Sequence, residues 1–253
     1  MVRLPAATDT QDRGRLEDLL LHNRLWLAAP STFNDPFDGR SAYDLTLRGT
    51  ELRKELERLL RRQGMKSEEA RRQVRSDVVA NPEWFRQQRE QHLNLIRNHL
   101  GVCALSANPR SPLLWAHYAQ DHKGLCVQLR PWADPEALVA HQVEYRNDYP
   151  VMQDFDRAAT GRDAMLPFLR KSTDWAYEEE WRLVEPERPN TPQPFNAGAM
   201  TGVIFGMRMT KADKAYVCEL MEERQRRYGV KPKLYQAVAA ARAYRVVIRK
   251  ASG

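Results

Sequence analysis

Apolar residues fall at helical spacing in RGRLEDLLLHN (13–23), and the six residues that follow, RLWLAA (24–29), alternate instead. The pattern predicts a helix running into a strand. PSTFNDPFDGR comes next, and its Pro, Asn, Asp and Gly predict a loop. From 49 to 99 nearly every stretch reads as helix, with Gly64 offering a break and Asn81 and Pro82 a cap and first turn for the last helix. This block, at about 48–100, reads as a helical insertion or lid.

Short strands are expected at GVCALS (101–106), GLCVQLR (124–130), HQVEYRN (141–147), EEWRLVE (179–185), TGVIFG (201–206), PKLYQAVAA (232–240) and AYRVVIRK (243–250). Helices are expected at SPLLWAHYAQD (111–121), with Ser111 as cap and Pro112 at the first position, and at GRDAMLPFLRKS (161–172), interrupted or started by Pro167. A last helix, TKADKAYVCELMEERQRRYG (210–229), opens on Thr210 and Asp213 at capping-box spacing and ends on Gly229. Several strands follow one another with only loops between them. The expected fold is therefore α+β: one domain over 1–253 with a mixed or antiparallel sheet core of short strands and a helical insertion.

A hydrophobic content of 42% is ample for a core in 253 residues. No apolar run approaches the roughly 20 residues that span a bilayer, and MVRLPAATDT lacks a secretory apolar region, so a cytoplasmic location is expected. Cys103, Cys126 and Cys218 lie far apart, and no structural zinc is expected. The net charge of +7 comes from 40 Lys+Arg against 33 Asp+Glu. With both signs abundant and the excess read as spread along the chain, a solvated basic surface is the first expectation and a polyanionic partner the second.

Candidate chemistry begins in DWAYEEEWRL (174–183). Read as a strand, its period of two puts Glu178, Glu180 and Arg182 on one face, and Glu179, Trp181 and Leu183 on the other. With Trp181 and Leu183 in the core, the first face either blunts an edge strand or delivers two carboxylates and a guanidinium into a cleft. A helix would instead pair Glu178 with Arg182 across one turn. FNDPFD (33–38) places Asn34, Asp35 and Asp38 in a loop that turn chemistry explains by itself, and that can also present polar groups to a ligand; Phe33 and Phe37 can pin the loop or stack on a base. In LLWAHYAQDHKG (113–124), a helix puts Trp115 and Tyr118 on one stripe while His117 with Tyr118 can face a cleft. His117 and His122 are badly spaced for one metal, and His117 reads first as a packed histidine. No P-loop, G-x-G-x-x-G, G-x-S-x-G, H-E-x-x-H or C-x-x-C is present.

FNDPFD, LWAHYAQDHKG, WAYEEEWRL and VIFGMRMT, in this order, resemble a large uncharacterised bacterial and phage domain family over most of the chain. A second, looser resemblance is to the ADP-ribosyltransferase fold, including DNA-modifying toxins of toxin–antitoxin systems. That resemblance implies NAD as substrate and an acceptor that is a nucleic acid or a protein, in phage–host conflict. It implies Arg3 on the first strand, Ser106 with Trp115 and Tyr118 in the middle, and Glu180 late, with Glu178 and Glu180 similar to the E-x-E pair of arginine-directed members. Glu180 would then stabilise the ribosyl cation, Glu178 orient or deprotonate the acceptor, and Arg182 hold the acids or a phosphate. His117 and Tyr118 would grip the ribose or amide, and Asn34 and Asp35 would complete the ligand site. No metal enters this reading. Two rivals remain: a metal-dependent nuclease using Asp35, Asp38, Glu178 and Glu180, and a non-catalytic module that binds a nucleotide or nucleic acid.

Overall fold

A computed structural model describes residues 10–43, 49–75, 82–152 and 162–251. Arg3 and Asn81 lie outside them. Helix α1 (Thr10–Leu20) leads into β1 (Arg24–Leu27), and β2 (Ala42–Tyr43) follows the FNDPFD loop. The helical block contains α2 (Gly49–Arg62), α3 (Ser67–Arg75) and α4 (Pro82–His99), and α4 runs directly into β3 (Leu100–Ser106). Then come α5 (Pro112–Tyr118), β4 (Leu125–Leu129), β5 (Ala140–Gln142), β6 (Glu144–Tyr145), β7 (Val151–Met152), α6 (Arg162–Leu169), β8 (Arg170–Lys171) and β9 (Glu180–Pro186). The chain continues through β10 (Thr191–Pro194), β11 (Met200–Phe205), α7 (Lys211–Tyr228), β12 (Lys233–Ala239) and β13 (Val246–Lys250).

The protein is α+β, built from several small mixed and antiparallel sheets with helices around them. Four strands in the order β13-β12-β11-β4 form the largest sheet, in which only β11 and β12 are parallel, joined through α7. A parallel pair needs such a crossover, whereas the antiparallel β12–β13 pair closes with a short loop. Strands β3-β9-β5 form an antiparallel sheet, and a bridge between Ala28 and Val102 ties the β1–β10 pair to it.

Both faces of β11 are covered, which is why its sequence is continuously apolar rather than alternating. Val203 and Phe205 join the main core with Leu16 and Leu20 of α1 and Val217 and Met221 of α7. Ile204 faces the other way, onto Trp115 and Ala119, with Ala237 and Val246. Each fully buried apolar side chain of this size contributes roughly 1.5–3 kcal/mol. Helices α2 and α3 close on each other around Leu56, Leu59, Leu60, Ala70 and Val74, and the Arg71–Glu57 ion pair spans them.

Helix ends follow local chemistry where that chemistry is sufficient. Thr210 Oγ1 accepts from the Asp213 amide at 3.1 Å and donates to its carboxylate at 2.7 Å, and Gly229 ends α7 at φ +68°. Ser111 does occupy the cap position of α5, but its side chain makes no capping bond. HQVEYRN was expected as one strand and is two: β5 pairs with β9 and β6 with β8, because Val143 between them buries its side chain and donates its amide to the Glu180 carbonyl.

Candidate functional site

The largest departure from the expected pattern lies in DWAYEEEWRL. Residues Thr173–Glu178 form a 3-10 helix whose cap, Ser172, accepts from the Asp174 amide, and Glu179 then adopts a left-handed conformation at φ 44°, ψ 52°. The strand therefore starts at Glu180, not before Glu178. Tertiary contacts override the strand period here: the Ser106 hydroxyl donates to the Glu178 carbonyl at 2.6 Å, and the Asn108 amide group holds the Glu179 carboxylate at 2.9 Å.

Two further expectations about this stretch are corrected. Strand β9 is the middle strand of its sheet, so its charges do not blunt an edge. Its charged face is the buried one: Glu180 is 4% and Arg182 1% exposed, while Trp181, expected in the core beside Leu183, is 37% exposed. A buried guanidinium persists only where its donors are met.

Arg182 meets that condition completely. Its Nη1 and Nη2 donate to both oxygens of Asp38 at 2.8 and 2.6 Å, its Nε and Nη2 to both oxygens of Glu180 at 2.7 and 3.1 Å, and Nη1 also to the Phe168 carbonyl at 2.8 Å. The two forked pairs and the Phe168 bond together hold three chain segments, the FNDPFD loop, β9 and the end of α6, around one planar group. The Phe33 ring lies beneath the guanidinium at 5.4 Å.

Lys171, at the end of β8, is the second cation. Its ammonium donates to Glu178 at 2.5 Å and to Glu180 at 3.1 Å, and lies 4.8 Å from the centre of the Trp175 ring. Tyr118 of α5 donates to the other Glu178 oxygen at 2.7 Å, and the Tyr145 hydroxyl accepts the Glu180 amide at 2.7 Å. Burial alone would raise the Glu180 carboxyl, but the charges and hydrogen bonds of Arg182 and Lys171 outweigh it and hold the group below its ordinary value. Burial opposes the charge on Lys171 in the same way, and Glu180 and Glu178 outweigh it, so the ammonium is held above its ordinary value. Burial, then the bond to Glu178, pushes the Tyr118 phenol up, so it stays a hydrogen-bond donor.

Glu178, Glu180, Tyr118 and Lys171 line a cavity of about 210 Å³ together with Phe33, Asn34 and Leu105. A second, larger groove of about 510 Å³ shares Asn34, Asp38 and Lys171 with it and continues past Trp175, Arg146 and Arg170. Formally, three carboxylates (Asp38, Glu178, Glu180) face two cations (Lys171, Arg182), leaving one negative charge at the cavity. Every oxygen of Glu180 is bonded to a cation, with three donors on the two atoms. Glu178 receives one donor on each oxygen, so each retains a lone pair.

Ser106, Tyr118, Glu178, Glu180, Arg182 and Asn34 are thus brought together. Asp35 lines the groove rather than the cavity, and its carboxylate accepts the Phe37 amide at 2.9 Å, the turn bond expected of it. Trp115 does not line the cavity: it is fully buried on the far side of α5, stacked on His122, with its N–H on the Pro109 carbonyl. His117 is exposed and packs on Tyr118 and Tyr177 at 6.3 and 6.4 Å. Sequence reasoning missed Lys171 and Tyr145 altogether. Neither carries a local pattern, because each reaches the cluster through a strand pairing of β6 with β8 that spans 26 residues.

The four acids of the nuclease rival have no common site. Asp38, Glu178 and Glu180 are bound by cations, Asp35 lies apart, and among the described residues no group of three or more His, Cys, Asp or Glu has metal-holding geometry. Burial pushes the Cys103 thiol up to about 11, which disfavours the thiolate. Among the described residues no helix is long and apolar enough to cross a membrane. Comparison with known proteins returned no matching family model, no matching curated protein and no matching solved structure.

Proposed function

We propose that the cavity binds the nicotinamide-ribose end of NAD and that the protein is an ADP-ribosyltransferase-like enzyme. The observation that carries this reading is the single formal negative charge left over in a small cavity whose charged groups are held by ion pairs and hydrogen bonds. Cleavage of the bond between ribose C1′ and the nicotinamide nitrogen sends the electron pair to a neutral leaving group and builds positive charge on the sugar. A fixed carboxylate in a site of low dielectric is worth most against such a developing charge. The acceptor's oxygen or nitrogen then bonds to C1′ and its proton passes to a carboxylate or water.

The geometry favours Glu178 as the acid that meets the ribose hydroxyls, with Glu180 holding Arg182 and Lys171 in place, although the sequence pattern ranks them the other way. Glu178 keeps a lone pair on each oxygen and has one oxygen bonded only to a neutral hydroxyl, whereas Glu180 keeps a lone pair on Oε1 alone and both its oxygens are engaged by cations. Phe33 offers a face for the nicotinamide ring, and the adjoining groove offers room for the pyrophosphate and adenosine.

Incubation with NAD labelled on its adenylate, followed for nicotinamide release and for transfer to DNA, RNA and lysate proteins, tests this. Nicotinamide release should fall by about 10²–10³ in Glu178→Gln while the fold is retained. A wild-type chain that neither releases nicotinamide nor is stabilised by NAD in a thermal melt overturns the reading.

A further inference from the structure

The chain's charge excess is not spread evenly. Six of its 40 Lys+Arg, and none of its 33 Asp+Glu, lie between Gly229 and Gly253, so residues 1–228 are balanced to within one charge, 34 against 33. The six are Lys231, Lys233, Arg242, Arg245, Arg249 and Lys250, and all are exposed. They decorate the β12–β13 ribbon, whose register sets Tyr235 opposite Lys250 and Gln236 opposite Arg249, and whose tip loop carries Tyr244 fully in solvent.

Strand β13 is the outer strand of its sheet, and Lys or Arg on an outer strand discourages pairing with other chains. That purpose does not account for Lys231, Arg242 and Arg245, which lie outside the two strands, nor for the absence of any acid over 25 residues. Some exposed arginines elsewhere bind acids, as Arg226 and Arg227 at the end of α7 both bind Glu223, while Arg40 and Arg208 use backbone carbonyls instead. Among the described residues, none of the six ribbon cations is ion-paired.

The ribbon also touches a segment that leads to the cavity. The amide of Val246, the first residue of β13, donates to the Arg110 carbonyl at 3.1 Å. Four residues upstream of Arg110, Ser106 lines the cavity, and Asn108 between them binds Glu179. A polymer seated along the ribbon therefore passes beside the Ser106–Arg110 segment.

We propose that the β12–β13 ribbon is a docking surface for a single-stranded nucleic acid, its cations on the phosphates and Tyr244 stacked on a base. Cations without acids supply affinity that is independent of sequence, and an exposed ring on a basic surface suits unpaired bases. This docking does not rest on NAD chemistry. Binding measured without NAD tests it, and nicotinamide release measured without nucleic acid tests the other.

Fluorescence anisotropy of a labelled single-stranded DNA of about 20 nucleotides, titrated with the full chain between about 50 and 200 mM salt, is the experiment. With six cations engaged, the logarithm of affinity should fall against that of salt with a slope of about −4. Replacing Arg242, Arg245, Arg249 and Lys250 together by Ala should weaken binding by about tenfold or more at low salt and cut the slope by about three. Restoring charge with Lys at the three Arg positions should recover it. Tyr244→Ala should weaken binding about fivefold or more with the slope unchanged. A matched control, Arg53→Ala with Lys54→Ala, Arg61→Ala and Lys66→Ala on the α2–α3 hairpin, should bind as wild type. Equal losses in the control, no loss in the ribbon variant, or equal binding of a duplex or of anionic vesicles overturns the proposal.

Discussion

Around Arg182, three carboxylates and two cations are buried and each is held by at least one partner of opposite charge. On the β12–β13 ribbon, six cations stand in solvent with no carboxylate in their segment. The residue types are nearly the same, and the difference is water. Inside, an ion that loses hydration must regain it from fixed partners, so the network is complete and rigid. Outside, hydration is already present, so cations can remain unpaired and be recruited by a partner that releases counterions. The first arrangement suits positioning within a cavity, and the second suits docking.

The largest expected effect that tests this contrast is Arg182→Met. Removing the guanidinium leaves Asp38 and Glu180 without their main counter-charge, and unfolding in urea should show a loss of about 3–5 kcal/mol. Arg182→Lys should not restore it, because one ammonium cannot serve two forked carboxylates. A loss below about 1 kcal/mol would place this pair among ordinary surface ion pairs and remove the contrast.

Acid should reveal the network next. Glu180 is held below its ordinary value of 4.5, so the unfolded chain takes up its proton first as pH falls. Its contribution is full above that value and is lost as pH drops through the lower folded value. Lys171 is held above its ordinary 10.5, so its contribution is full below that value and is lost as pH rises through the higher folded one. Stability from this pair should be flat between the two and fall on both sides. Urea titrations of Glu180→Gln should show a shallower acid limb than wild type, and parallel limbs would mean that Glu180 is not ion-paired in the folded chain.

Smaller effects separate the two regions further. Tyr118→Phe removes one hydrogen bond to Glu178 and should cost about 0.5–1.5 kcal/mol in thermal or urea unfolding. The four-residue ribbon alanine variant should lie within about 0.5 kcal/mol of wild type in the same assay, since these four side chains are exposed and make no hydrogen bond or ion pair among the described residues. Destabilisation comparable to Arg182→Met would show that the ribbon charges are structural after all.

Much of the fold was legible. The α7 cap, its terminal glycine, the buried β11 run and the strand-rich second half depend on contacts a few residues apart or on a period along one element. The site was legible only in outline. Glu178, Glu180, Arg182, Tyr118 and Asn34 stood out as residue types and Ser106 entered only through the resemblance, yet the strand period extended two residues too far and turned Trp181 inward. The missing information was long-range: Ser106 on the Glu178 carbonyl, Asp38 on Arg182 across 144 residues, and Lys171 carried in by β8.

By itself the sequence determined the α+β class, most element positions and a stretch of 25 residues rich in cations and free of acids. Only the tertiary structure decided that the polar face of β9 is the buried one, that Lys171 and Asp38 complete it, and that the basic ribbon is bonded to the segment leading from the cavity to Arg110. The physical reason is that periodicity reports how residues alternate about a backbone. Which face loses its water depends on what the rest of the chain packs against it.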